Sequence, residues 1–562
     1  MKRLTKSRKS VVIILAALLV ATVTLSACSK NESGNNGQPS PVTEGGQADS
    51  GPLSKYDPPI ELSFVRESGG VESILEKLPN ETIEDNRWTQ LYEEELGIKI
   101  KYDWLVKGND QYQQKLNVTL ASGEIPDVIA VNAIQLKQLT ESGLIEDLTE
   151  AYDKYATPLT KDILSSEGTG PFDAATFDGK LMGIPQVLSS VDSAHYLWIR
   201  TDWLEKLKLD PPKSMADVLA ISKAFAQDDP DGNNKKDTFG LGITKDLWGG
   251  AMALEGFFAG YNAFPNMWTE DANGKLVYGG IQPEMKEALL ALQSMLKDGQ
   301  IDKEFGIKDG GKVSEQFAAG KIGIQYGEQW NSLWPLQANV DNDPNAQWQA
   351  FPLVDLAGGA TKVPAKFSTF TFFAVKKGVK HPEAVVKLFN MHLERNWGET
   401  ADFEKYYMPP EAEGVWKLSP VTPAPPLKNL NAFHDIQAAA GDNSKLKDEA
   451  KSIKAKLDEY ASGTSEGRAM WGWERIYGPQ GVYSVQDQYA KNNQFLMERF
   501  VGAPTETMIE RKSTLDKLQN ETIINIILGQ PIEAFDKFVE DWKKLGGDAI
   551  TTEVNDWYAN KK

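Results

Sequence analysis

Asp228-Asp-Pro-Asp-Gly-Asn-Asn-Lys-Lys-Asp237 is the stretch whose residue types and spacing most plainly point to chemistry. Asp229, Asp231, Asn233 and Asp237 fall at positions one, three, five and nine of a calcium loop, and Lys235 at position seven would offer its backbone carbonyl. Ca2+ takes six to eight hard oxygens at about 2.4 Å, which alternating side chains of a tight loop supply. Position six needs left-handed backbone, and Asn234 is the best tolerated residue there after Gly. Position twelve is Gly240, so the bidentate Glu of an EF-hand is absent and the expected role is structural. The rival reading is a solvated acidic turn between Phe225 and Phe239.

A second chemistry is recognition of sugars, which combines aromatic faces with planar, multidentate hydrogen-bonding groups. Tyr326-Gly-Glu-Gln-Trp330 closes an expected strand and offers Glu328 and Trp330. Trp471-Gly-Trp-Glu-Arg475 crowds Trp471, Trp473, Glu474 and Arg475 together, with structural packing as the alternative use. Asn132 follows the apolar run ending at Val131, and Arg66, Glu67, Trp248 and Trp268 are weaker candidates. Trp203 opens an amphipathic helix and is read as mainly structural.

Other matches fail on context. Gly463-Thr-Ser-Glu-Gly467 has the letters of a nucleophile elbow but follows a Lys/Glu-rich helix rather than an apolar strand. Gly306-Ile-Lys-Asp-Gly-Gly-Lys-Val313 lacks the Ser/Thr of a P-loop after Lys312. His195, His381, His392 and His434 form no zinc-ligand pair.

The N-terminus sets the location. Lys2, Arg3, Lys6, Arg8 and Lys9 precede an apolar run from Val11 to Val23, then Leu25-Ser-Ala-Cys28, which reads as a signal peptide over 1–27. Cys28 is the single cysteine, so no intramolecular disulfide forms. Residues 28–57 are Ser-, Gly-, Asn- and Pro-rich and are expected to be a disordered tether of roughly 30 Å. The 562 residues are 41% hydrophobic and 25% charged, enough for more than one domain. A net charge of −19 argues against nucleic acid, whose binding needs clustered Lys and Arg.

The elements that must position these residues alternate. Strands are expected at 60–65, 98–102, 126–131, 322–326 and 370–375, with helices at 84–96, 112–122, 134–142, 382–393 and 513–528. This grammar implies α/β units on a parallel sheet. Leu446, Ala450, Ile453, Leu457 and Tyr460 mark an ordinary amphipathic helix rather than a coiled coil.

Several ordered stretches carry a family resemblance: Leu120-Ala-Ser-Gly-Glu-Ile-Pro-Asp-Val128, Asp178-Gly-Lys-Leu-Met-Gly-Ile-Pro185, Leu197-Trp-Ile-Arg-Thr-Asp-Trp-Leu204 and Phe317-Ala-Ala-Gly-Lys-Ile-Gly-Ile324. With Leu25–Cys28 as a lipobox, the chain resembles the extracellular solute-binding lipoproteins of ABC importers, family 1, in the branch that handles sugars and oligosaccharides. The resemblance implies a type II fold of two α/β lobes with a ligand cleft between crossover segments. Lobe one is expected at 58–188 and 364–425, lobe two at 189–363 and 426–562. It further implies lipidation at Cys28, a place on the outer face of the cell membrane, an oligosaccharide or other small solute as ligand, a membrane permease as partner, a monomer and no catalysis. Related maltose-type binders stack a Trp on the sugar where Trp330 stands. Alginate-binding members carry a similar calcium loop with an acidic residue just after position nine, where this chain has Thr238. The alternatives are a secreted polysaccharide-active enzyme, which needs two carboxylates about 5 or 6.5–9.5 Å apart, and a surface adhesion module.

Overall fold

A computed structural model describes residues 51–561. The signal peptide, Cys28 and the tether up to residue 50 lie outside the described residues. Within them no helix is long and apolar enough to cross a membrane.

Buried side chains from 62–187 and 372–421 form one core. Those from 194–363 and 471–554 form a second, and a smaller cluster lies between 432 and 483. In the first core Ile60–Glu67 and Ile98–Val106 pair in parallel, as alternating strand and helix require. Asp127 ties this pair to the next strand: its backbone N–H donates to Ser63 Oγ, and its carboxylate accepts the Ser63 N–H, both at 3.0 Å. Val128–Val131 is buried as its apolar run demands, but its ladder corrects the parallel expectation. It pairs antiparallel with Thr371–Val375, which also pairs antiparallel with Ile184–Gln186. The chain returns from the second core before 371 and so enters this sheet from the opposite end.

The second core is built on the order Trp348–Phe351, Tyr196–Arg200, Ile322–Gly327, Phe239–Leu241. Tyr196–Arg200 runs antiparallel to both neighbours, and Phe239–Leu241 runs parallel to Ile322–Gly327.

The helix expected at 84–96 begins later, at Arg87–Leu91, and ends as a wider turn over Tyr92–Leu96. Asn86 decides its start, since its side chain accepts from Trp88 N at 3.0 Å while Thr89 Oγ1 accepts the Asn86 N–H at 2.9 Å. Gly97 ends it at φ +65°, and a Cβ there would lie 2.4 Å from the Tyr56 carbonyl oxygen.

That contact belongs to the largest correction. Residues 51–57 are not a free tether but dock on the first core. Asn390 Nδ2 donates to Pro52 O at 3.0 Å, Lys387 Nζ to Ser54 O at 2.8 Å, and Tyr56 OH to Glu383 Oε1 at 2.8 Å. Leu53 and Tyr56 pack on that core, which offsets the entropy of ordering the segment. All three anchoring side chains lie on or beside the helix Ala384–Trp397.

The same helix buries His392, whose ring stacks on Trp88 at 4.4 Å with neither nitrogen partnered. Burial pushes its pKa down to about 3. The unfolded chain therefore binds a proton near 6.5 that the folded chain refuses, so stability is complete above about 6.5 and falls as pH drops toward 3. Between pH 7.5 and 5 this group alone is expected to cost about 2 kcal/mol. Urea unfolding of the wild type and of His392→Phe at both pH values checks this: the variant should lose that share of the pH dependence, and equal losses in both proteins would refute it.

Candidate ligand-binding site

Three segments pass between the two cores and are laced together. Gln186 Nε2, ahead of the first, donates to Thr422 O at 3.1 Å and Oγ1 at 2.9 Å in the third. Ser190 and Ser368 place their hydroxyls 3.4 Å apart, joining the first to the second. Ser193 Oγ accepts the Lys366 N–H at 3.0 Å.

Beside these segments lie the ends of the second sheet. Ile322–Gly327 stops at Gly327, and Glu328 begins the turn Gln329–Ser332. Trp330 stands half-buried where the sequence places it. Its indole N–H donates to Glu328 Oε2 at 2.7 Å, and Glu328 Oε1 accepts the Gly250 N–H at 3.2 Å. One face of Trp330 meets Trp334 at 6.2 Å and 20°. Trp334 is 42% exposed, so the two rings make a partly open aromatic ledge with a fixed carboxylate at its edge.

The other candidates have structural work to do. Trp268 is 7% exposed and packs on Tyr278 within the second core. Trp471 is 1% exposed in the same core, which leaves no face for a ligand. Trp473 stacks on Tyr477 at 6.0 Å under the Lys456 ammonium at 4.1 Å. Glu474 and Arg475 face each other at 3.4 Å, and Arg475 also donates to Gln349 Oε1 at 3.3 Å. The helix Trp471–Tyr477 thus commits these four side chains to partners within the fold rather than gathering them at one open site. Arg66 spends its guanidinium on Tyr102 OH at 3.2 Å and on the carbonyls of Lys417, Leu418 and Ser419. Glu67 accepts the N–H groups of Gly69, Gly70 and Gly108, which hold its carboxyl low against its partial burial. Asn132 is exposed at the end of Val128–Val131, but its Oδ1 caps the next helix through Gln135 N at 2.9 Å. Only its amide N–H groups are left for a ligand.

The sequence reading passes over Asp192 and Glu167. Asp192 lies in the turn Val191–Ser193 of the first crossing segment, with Oδ1 buried and without a donor. Burial pushes its pKa up to about 7; Lys428 and Gln486 oppose that rise, while Glu328 and Glu167 add to it. Nearby, burial would raise Glu255, yet Lys366 and His195 outweigh it and hold the carboxyl below its ordinary range. Cavities of about 780 and 610 Å3 open elsewhere, the first between 401–413 and 446–459 and the second beside Arg200, and neither is lined by Trp330 or Glu328.

In the acidic loop Asn234 adopts φ +60°, as position six requires, and Asp229 φ +52°. The Asp229 carboxylate accepts the N–H groups of Asn233 and Asn234, each at 3.0 Å. Lys321 Nζ reaches Asp231 at 3.2 Å and Asp237 at 2.8 Å, a cation standing between two would-be ligands. Thr238 is buried with its hydroxyl on Phe225 O at 2.7 Å, so it supplies no oxygen to the loop. Among the described residues no group of three or more His, Cys, Asp or Glu side chains is gathered for a metal.

Comparison with known proteins fits this architecture. Residues 74–394 match the family described as bacterial extracellular solute-binding protein. Lipoprotein LipO of Bacillus subtilis is 24% identical over 483 residues, covering 83% of this chain and 87% of that protein. The polygalacturonan/rhamnogalacturonan-binding protein YtcQ of Bacillus subtilis is 24% identical over 472 residues, 80% of this chain and 84% of that protein. Among solved structures, an EF-hand mutant of the S. pneumoniae ABC-transporter substrate-binding protein FusA, in complex with fructo-nystose, superposes with a TM-score of 0.58 at 18% identity, over 89% of this chain and 99% of that one.

Proposed function

Because the chain belongs to the bacterial extracellular solute-binding proteins, we propose that it captures an oligosaccharide between its two lobes and hands it to a membrane permease of an ABC importer. It acts outside the cytoplasm and is a binding protein, not an enzyme. The observation that carries the sugar reading is the Trp330–Trp334 ledge with Glu328 fixed at its edge, because stacked rings beside a rigid acceptor suit a sugar's apolar face and its hydroxyls. The saccharides that YtcQ is named for and that FusA holds in its complex support it. Closure around ligand would be a hinge motion about the three crossing segments, driven by the higher affinity of the closed state. Lobe one would comprise 58–188 and 364–425, and lobe two 189–363 and 426–562, in a monomer. Lipidation of Cys28 would tether the protein to the outer face of the membrane, a reading supported by the lipobox letters and by the name of LipO.

The acidic loop would hold Ca2+ in a structural role. Its donors are hard oxygens of the right kind, the turn is left-handed at Asn234, and the Lys321 ammonium stands in for a cation. Asp229, Asp231, Asn233, Asp237 and the Lys235 carbonyl would be its ligands.

A thermal-shift screen against oligosaccharides, in Ca2+ and in EDTA, tests both readings. A bound sugar should raise the melting temperature and be recovered uncleaved. EDTA should lower it, and Asp231→Asn should abolish that response. Cleavage of the sugar would overturn the receptor reading, and an EDTA-insensitive melting temperature would overturn the metal.

A further inference from the structure

Carboxylates outnumber cations around the ledge. Glu328 is pinned by Gly250 N–H and the Trp330 indole, neither of which neutralises its charge. Glu167 accepts the Ser190 N–H at 3.2 Å, two residues from Asp192. Asp192 is half-buried, and its carboxyl faces the uncharged Gln486 amide rather than a cation of its own. The two ammonium groups carried on or beside the crossing segments already have carboxylates: Lys366 holds Glu255, and Lys428 holds Glu449 at 2.6 Å. Glu328, Glu167 and Asp192 make no ion pair within 4 Å among the described residues.

We propose that the saccharide taken at this site is uncharged, its hydroxyls donating to Glu328 and Asp192, and that saccharides carrying carboxylates are rejected. The inference rests on the oligosaccharide reading above and names its charge class. A hydroxyl on a fixed carboxylate makes a charge-assisted hydrogen bond. A uronate carboxylate brought there meets like charge with no free cation, and closure would desolvate both groups. Exclusion by an unpaired buried charge is a strong form of specificity.

The test is calorimetry on the full-length protein in detergent at about pH 8.5, where Asp192 is ionised, with neutral oligosaccharides each paired with a uronate counterpart of equal length and linkage. The bound neutral member is expected to be at least about 100-fold tighter than its uronate partner. Glu328→Gln should narrow that ratio at least about tenfold, chiefly by admitting the uronate. Asp192→Asn should act in the same direction and guards against a folding defect in the first variant. A uronate that binds as tightly as its neutral partner would overturn the assignment, as would a ratio unmoved in both variants while either remains folded. Binding of no saccharide at all would remove the sugar reading itself, and this inference with it.

Discussion

Trp330→Ala is expected to weaken saccharide binding about 30- to 150-fold, the equivalent of about 2–3 kcal/mol. The ring would offer its surface to the ligand while Trp334 supports one face at 6.2 Å and the Glu328 carboxylate holds its N–H. Truncation removes the stacking area and frees Glu328 from one of its two donors, so both the apolar and the polar contact loosen. Trp330→Phe keeps a platform without the indole N–H and should fall between the wild type and the alanine variant. Because Trp330 is only half-buried, the melting temperature of the ligand-free protein should move little. Calorimetry with the ligand found in the screen measures the change. A loss of less than about threefold would mean that the ledge is not where the sugar stacks.

The largest stability effect is expected at Arg200, whose loss has nothing to do with ligand. Its side chain is 3% exposed and lies over the rings of Trp203 at 4.6 Å and Trp348 at 5.9 Å. Its guanidinium forks onto Asp202 at 2.8 and 2.5 Å and reaches Asn339 Oδ1 at 3.2 Å. Arg200→Ala leaves a hole between two Trp rings and strips Asp202 of its cation, leaving it the Gln347 N–H at 3.1 Å, and about 3 kcal/mol of stability should go with it. The lower end of the usual range applies because Asp202 is 23% exposed and water can reach it. Arg200→Lys keeps the charge but neither the fork nor the planar stack, and should recover less than half of the loss. Urea unfolding measures both. Full recovery by lysine would show that charge alone matters there.

How much of this was legible in the sequence depended on the range of the forces involved. Strand and helix positions followed from local periodicity, and the left-handed residue at Asn234 from turn chemistry alone. Trp330 could be placed because it sits at a strand end, a local feature. Trp471 and, more weakly, Trp268 were also candidates, yet both are core residues, since burial is decided by tertiary partners that no local pattern names. Arg66 is a similar case: its acceptors at 417–419 are invisible from its own neighbourhood. Asp192 and Glu167 carried no motif, and only the meeting of the crossing segments brings them beside the ledge. The antiparallel return of Thr371–Val375 was missed for the same reason, because a strand's sequence does not say from which end it enters a sheet.

The docking of Pro52–Tyr56 on the helix Ala384–Trp397 fixes the point at which the chain leaves the folded body. Cys28 and Pro52 are 24 positions apart, so with Cys28 lipidated that exit point could rise at most roughly 80 Å above the bilayer. A protein held within a hemisphere of that radius has a local concentration on the order of 1 mM at the membrane surface. A permease standing within that reach would need only millimolar affinity for the encounter to be well populated, and a partner that weak would let go quickly. Loosening the clasp at Asn390 and Lys387 would lengthen the leash and dilute the receptor, lowering the encounter rate with no change in ligand affinity.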